Sequence, residues 1–233
     1  MLEGLAWLAL EVKSIERARA FYEGELELTP SRVESTEVRY QVGKSELRLR
    51  RPTAVPRGGV HTHYALSVPP AEYDVWWDRL DESHDLEEAI FGDARSLYCY
   101  DPDGHCVEIG QQPVEGPGID GIFEVALEVA SIERALEFYR RLGFTYTNSI
   151  DDKSDRIRMS GPIALELWEP RLGIADARAG NHVAMGFTYD QAGAVPEPES
   201  ETPEQIIERD RNIRVVRDPD GHFLALSSDQ GHP

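Results

Sequence analysis

The chain has 233 residues, a formal net charge of −19 and 40% hydrophobic residues, which is enough apolar material for two domains with their own cores and too much for a disordered chain. Asp and Glu outnumber Lys and Arg by 43 to 24, which opposes nucleic-acid and anionic-membrane partners. Two cysteines exclude a disulfide framework and a structural zinc site, and no apolar run approaches the roughly 20 residues of a membrane span.

In chain order, an alternating strand comes first, with Leu8, Leu10 and Val12 on one face and Trp7, Ala9 and Glu11 on the other. A helix follows from the N-cap Ser14, with Ile15, Ala18, Phe21 and Tyr22 at helical spacing and a stop at Gly24. Leu47 and Leu49 share a face of a strand at 45–50, and another strand runs through His63-Tyr-Ala-Leu-Ser-Val68. A helix is predicted over 72–82. Asp101-Pro-Asp-Gly104 is turn chemistry leading into the strand Cys106–Ile109.

The order then repeats. Residues 9–22 (ALEVKSIERARAFY) match residues 126–139 (ALEVASIERALEFY) at eleven of fourteen positions, at an offset of 117. The same offset relates Asp101-Pro-Asp-Gly-His105 to Asp218-Pro-Asp-Gly-His222. This reads as a duplication: repeat 1 over 1–112, a Pro/Gly linker over 113–119, and repeat 2 over 120–233. Repeat 2 has its helix after Ser131, a stop at Gly143, and strands through Pro162–Trp168, Asn181–Phe187 and Phe223–Leu226. Its second helix is expected to be short, over about 203–210, behind the acidic loop 194–203.

If helices cover one face of each sheet, the other face is free to line a cavity. On that second face the opening strands offer Trp7 and Glu124, the fourth strands Arg48 and Glu166, the fifth strands His63 and His182, and the last strands Glu108 and Ala225. His61, two residues before His63, reads as sharing its face, at the cavity rim or solvated. His105 and His222 read as turn surface. Arg158 and Trp168 read as ordinary strand residues, with substrate contact from the repeat 2 side as the alternative, and Cys99 and Cys106 as free buried thiols, with a facing pair across the hairpin as the alternative.

The ALEV strand, the SIERA…FY helix, the HYAL strand and the DPDGHxxE turn together resemble the vicinal oxygen chelate superfamily, which includes glyoxalase I, fosfomycin-resistance proteins and extradiol dioxygenases. The resemblance covers both repeats. It implies an α+β fold of tandem paired βαβββ modules, whose curved mixed sheets form cups with helices outside. It also implies metal ligands on the first, fourth, fifth and last strands, with three-ligand members omitting the fourth.

Two groupings then follow. If each repeat keeps to itself, Trp7, Arg48, His63 and Glu108 form one set and Glu124, Glu166, His182 and Ala225 the other, and both are damaged. If the repeats cross, as in glyoxalase I dimers, one site gathers His63, Glu108, Glu124 and Glu166, and a second, degenerate site gathers Trp7, Arg48, His182 and Ala225. We take the crossed grouping as the working expectation. The alternative is a solvated glutamate cluster without a metal.

One nitrogen and three carboxylates suit Mn, Fe, Co, Ni or Zn, one ion per chain. By resemblance to glyoxalase I, the expected reaction is proton transfer next to a carbonyl, by an isomerase, lyase or epimerase, with Glu108 as base and Glu124 as the other candidate. An extradiol dioxygenase or fosfomycin-type transferase is the alternative enzyme. A metal-free, bleomycin-sequestering binding protein is the alternative class. The partner is a small molecule, and the chain is a monomer or homodimer. With no basic leader segment a cytoplasmic location is expected, and an acidic surface with three lysines (Lys13, Lys44, Lys153) resembles proteins of salt-loving organisms.

Overall fold

The computed structural model describes residues 2–52, 58–149, 155–170, 181–189, 206–209 and 213–227. The first half contains β1 (Leu2–Glu11), α1 (Ile15–Gly24), β2 (Pro30–Val33), β3 (Glu37–Val42), β4 (Ser45–Arg50), β5 (His61–Val68), α2 (Tyr73–Asp81), β6 (Glu87–Phe91), β7 (Ala94–Tyr100) and β8 (Cys106–Gln111). The second contains β9 (Gly121–Glu128), α3 (Ile132–Arg141), β10 (Thr145–Ser149), β11 (Arg156–Ser160), β12 (Ala164–Trp168), β13 (His182–Tyr189), β14 (Ile206–Arg209), β15 (Ile213–Arg217) and β16 (Phe223–Ser227). None of the described helices is long and apolar enough to cross a membrane.

The strands form two eight-stranded mixed sheets, and each takes four strands from each half. One runs β10-β11-β12-β9-β5-β8-β7-β6 and the other β14-β15-β16-β13-β1-β4-β3-β2. The joints are antiparallel, β5 on β9 and β1 on β13. The halves therefore cross: the back of repeat 1 shares a sheet with the front of repeat 2, and the front of repeat 1 with the back of repeat 2. The period-two alternation decides what each face carries. Leu8, Leu10, Leu47, Leu49, Tyr64, Leu66, Val125, Leu127, Leu165 and Leu167 all join one buried core. Trp7 and Ala9, on the opposite face of β1, belong to a separate small cluster with Ala184 and Ala225.

The two most repeated motifs turn out to be one device. Ser14 and Ser131 cap α1 and α3 by accepting from the backbone N–H three residues on. Each helix then ends its buried face on the Phe-Tyr pair. The hydroxyl of Tyr22 donates to Asp101 Oδ2 at 3.1 Å, and that of Tyr139 to Asp218 Oδ2 at 2.9 Å. The other oxygen of each aspartate accepts backbone N–H groups of its own turn, from Asp103 and His105 or from Asp220 and His222. The FY helix and the DPDG turn are thus tied together through a buried hydrogen bond, once in each half.

Several sequence expectations are corrected. The predicted short helix at 203–210 is replaced, over Ile206–Arg209, by strand β14, which pairs with β15; the loop 194–203 lies outside the described residues. Its place beside β15 is that of β6 beside β7, so sheet pairing overrides a weak helical pattern. Cys99 and Cys106 are free and buried, as expected, and only the alternative of a facing pair fails: Cys99 opposes Val107 and Cys106 opposes Tyr100.

The larger correction concerns the histidines. His61 faces away from His63, because β5 carries a bulge there: His61 opposes Leu127 while His63 opposes the adjacent Ala126. One extra residue reverses the side-chain face. The same bulge recurs in β13, where His182 opposes Leu10 and Ala184 opposes Ala9. His182 is therefore the counterpart of His61, and Ala184, not His182, lines the second cup.

His105 and His222 are likewise buried rather than on turn surface. The four rings form a row between the halves. His105 and His61 stack at 5.2 Å, His61 and His182 meet edge-on at 5.9 Å, and His182 and His222 stack at 4.7 Å. His105 Nε2 donates to the Glu11 carbonyl and His222 Nε2 to that of Glu128. A carbonyl can only accept, so the proton sits on Nε2 and leaves the Nδ1 of His222 to accept from His182 Nε2 at 3.2 Å.

Burial first, then the neighbouring imidazoles, holds His182 well below the usual histidine pKa of 6.5. The unfolded chain therefore binds a proton that the folded chain refuses once pH falls below about 6.5. Stability is expected to decline there, by up to about 1.4 kcal/mol per pH unit for this group. Urea unfolding of the wild type and of His182→Gln between pH 7.5 and 5 checks this. The stability gap between them should move in the variant's favour on acidification, and a pH-independent gap contradicts it.

Candidate metal centre

His63, Glu108 and Glu124 come from three adjacent strands, β5, β8 and β9, and from both halves of the chain. Pairing fixes their meeting: Ala65 of β5 opposes both Glu108 and Glu124, and His63 lies two residues along the same face. His63 Nε2 is 3.1 Å from Glu124 Oε1 and 3.2 Å from Glu108 Oε2. All three residues are buried, and one ligand atom from each lies within 4.8 Å of the others.

The electrostatics follow from that burial. Desolvation lowers the His63 pKa, but the hydrogen bonds and charges of Glu108 and Glu124 outweigh it and hold it well above the usual value. Burial raises the Glu108 carboxyl, yet His63, with smaller help from Ser96 and Tyr98, brings it below the ordinary range. Without a metal, the imidazolium is the cation that keeps two buried carboxylates together.

Glu166 stands apart from the other three. From β12 it opposes Ala126 of β9, but both of its oxygens are taken: Oε1 accepts from Arg158 Nη1 at 2.9 Å and Oε2 from Trp168 Nε1 at 3.0 Å. Arg158 Nη1 also contacts Glu124 Oε2 at 2.5 Å. Burial, and then Glu124, push the Glu166 carboxyl up to about 7. The expected four-donor shell is thus three donors with a fourth carboxylate held beside them. Arg158 and Trp168, read from sequence as ordinary strand residues, are what hold it. The signal was available in register: Arg158 directly opposes Glu166, and Tyr98 directly opposes Glu108.

The three donors fit a divalent cation. Glu108 Oε2 is buried, and its close partner among the described residues is the His63 imidazole, at 3.2 Å. Two carboxylates brought together in a buried cup are costly, and a divalent cation among these donors would offset that cost. One imidazole and two carboxylates suit Mn, Fe, Co, Ni or Zn.

The other cup fails the same test. Trp7, Arg48, Ala184 and Ala225 occupy the positions of Glu124, Glu166, His63 and Glu108. The Trp7 ring lies over Gly186, where a Cβ would come within 2.2 Å of its indole nitrogen. Arg48 stacks on the same ring at 4.6 Å and pairs with Glu46 at 2.7 Å. An indole, a guanidinium and two alanines give a cation nothing to bind.

No family model matches the chain. Its fold is nonetheless that of solved proteins along nearly its whole length. It is similar to a putative dioxygenase from Bacillus subtilis (TM-score 0.71, 14% identity, covering 97% of this chain and 85% of that one). It is similar also to glyoxalase I from Zea mays (TM-score 0.66, 16% identity, covering 97% and 92%), and to the V278E mutant of that enzyme (TM-score 0.69, 17% identity). The chain has the tandem βαβββ fold of the vicinal oxygen chelate superfamily.

Proposed function

We propose that the chain is a metal-dependent enzyme of glyoxalase I-like type, moving a proton at a carbon next to a carbonyl in a small molecule. The observation that carries this reading is the convergence of His63, Glu108 and Glu124, one ligand atom from each, in a buried cup. A divalent cation held by these three residues supplies Lewis acidity toward two adjacent substrate oxygens.

The chain's own groups supply the rest. Glu108 is the base, steadied by Ser96 and Tyr98, and Glu124 is the other carboxylate within reach of the same place. The rings of Tyr98 and Trp168 meet His63 edge-on at 5.7 and 5.6 Å and wall the site against water. The cup of Trp7 and Ala184 takes no part, so the chain has one working site. Among the described residues neither cup brings two histidines to one set of donors, which counts against the usual dioxygenase ligand set of two histidines and a carboxylate.

Solvent exchange tests the reaction class without knowledge of the physiological substrate. Metal-loaded protein in D2O is incubated with hemithioacetals of 2-oxoaldehydes and with 2-acyl thioesters, and deuterium entry next to the carbonyl is followed by NMR. Metal-dependent entry into at least one class is expected. Metal-loaded protein inert toward both classes contradicts the reading.

A further inference from the structure

From the rim of the same cup we infer that the substrate carries a carboxylate, separate from its two adjacent oxygens, and that Arg158 receives it. The inference deepens the proposed function and rests on the metal being held by His63, Glu108 and Glu124.

Arg158 sits on the cup face of β11, opposite Glu166. Both of its ion pairs run through the single atom Nη1, to Glu124 and Glu166. That leaves Nε and Nη2 without a protein partner among the described residues, on a side chain 35% exposed. A guanidinium presents its donors as a planar fork that matches a carboxylate, and here half the fork is unused on a partly exposed side chain. The corresponding arginine of the other cup differs. Arg39, opposite Arg48, is engaged from two nitrogens, Nε with Glu37 and Nη1 with Glu46, and is largely covered.

Charge selects the ligand further. Glu108, Glu124 and Glu166 share the cup, and a divalent cation together with Arg158 would more than balance their charge, since burial and Glu124 push the Glu166 carboxyl up. The loaded cup then admits a monoanion, and a carboxylate meets less repulsion there than a doubly charged phosphate. Between Tyr98, Trp168 and Phe123, whose ring packs on Gly110, the walls suit a flat or apolar body. The substrate class is thus a compact organic monoanion with two neighbouring oxygens at one end and a carboxylate at the other.

The test compares two chelators that differ only in that carboxylate: catechol and 3,4-dihydroxybenzoate. Metal uptake by the Ni²⁺-loaded protein is measured first, and each chelator is then titrated calorimetrically into wild type, Arg158→Gln and Arg158→Lys. Wild type is expected to bind 3,4-dihydroxybenzoate at least tenfold tighter than catechol. The ratio of affinities should collapse toward one in Arg158→Gln and be intermediate in Arg158→Lys, which keeps the charge and loses the fork. A ratio near one in wild type, or a ratio that survives in Arg158→Gln, overturns the inference and leaves the metal site standing. No metal uptake overturns both.

Discussion

His63→Ala is expected to strip the protein of its metal. Wild type purified without chelator should hold about one divalent ion per chain, as a three-ligand site with open positions does, and the variant essentially none. The imidazole is the sole nitrogen among the three converging donors. Losing even an outer partner of a ligand costs 10–100-fold in affinity, so losing the ligand should cost at least about 100-fold. The same change removes the group that holds Glu108 and Glu124 together in the metal-free state, and breaking one side of such a buried pair costs about 3–5 kcal/mol. Folding is therefore checked by circular dichroism, and His63→Gln serves as a polar replacement if the alanine variant is unfolded. Metal content by plasma mass spectrometry, with the wild-type amount retained by a folded variant, contradicts the assignment.

Glu108→Gln is the second large effect. Glutamine has the same shape, and Ser96 and Tyr98 can still donate to its amide oxygen, so the strand should keep its place. Turnover should fall by about 10²–10⁴, the usual contribution of a positioned acid–base group. The change also weakens a metal ligand. Exchange rates are therefore compared per bound ion, at metal concentrations that saturate the variant. A rate per ion within a few-fold of wild type removes Glu108 as the base.

Much of this site was legible because it lies on strands. Period-two alternation puts Glu108, Glu124 and Glu166 on the face opposite Leu127, Leu165 and Ile109, and an offset of 117 aligns Trp7 with Glu124 and Ala225 with Glu108. The chemistry of those pairs, an indole against a carboxylate and a methyl against a carboxylate, already sorted the residues into a donor-rich set and a degenerate one. What alternation could not foresee was the bulge. A rule of period two places His61 beside His63 and matches His182 to the wrong partner, and only the pairing with β9 and β1 shows the extra residue.

The role of Arg158 was hidden for a different reason. A single alternating strand says which way a side chain points and nothing about what stands across from it. That information resides in register, and register places the guanidinium against Glu166. The DPDG histidines were misread because turn sequences are ordinarily exposed. Here the Asp101 and Asp218 side chains fold the turns inward onto the backbone carbonyls of Glu11 and Glu128.

Anomalous diffraction from crystals grown with Mn²⁺ tests the central claim most directly, because it locates the ion without reference to activity. The account predicts one strong peak per chain at coordination distance, about 2.0–2.2 Å, from His63 Nε2 and the Glu108 and Glu124 carboxylates, and none in the cup of Trp7 and Ala184. Absence of a peak among those three side chains, or equal peaks in the two cups, would contradict it.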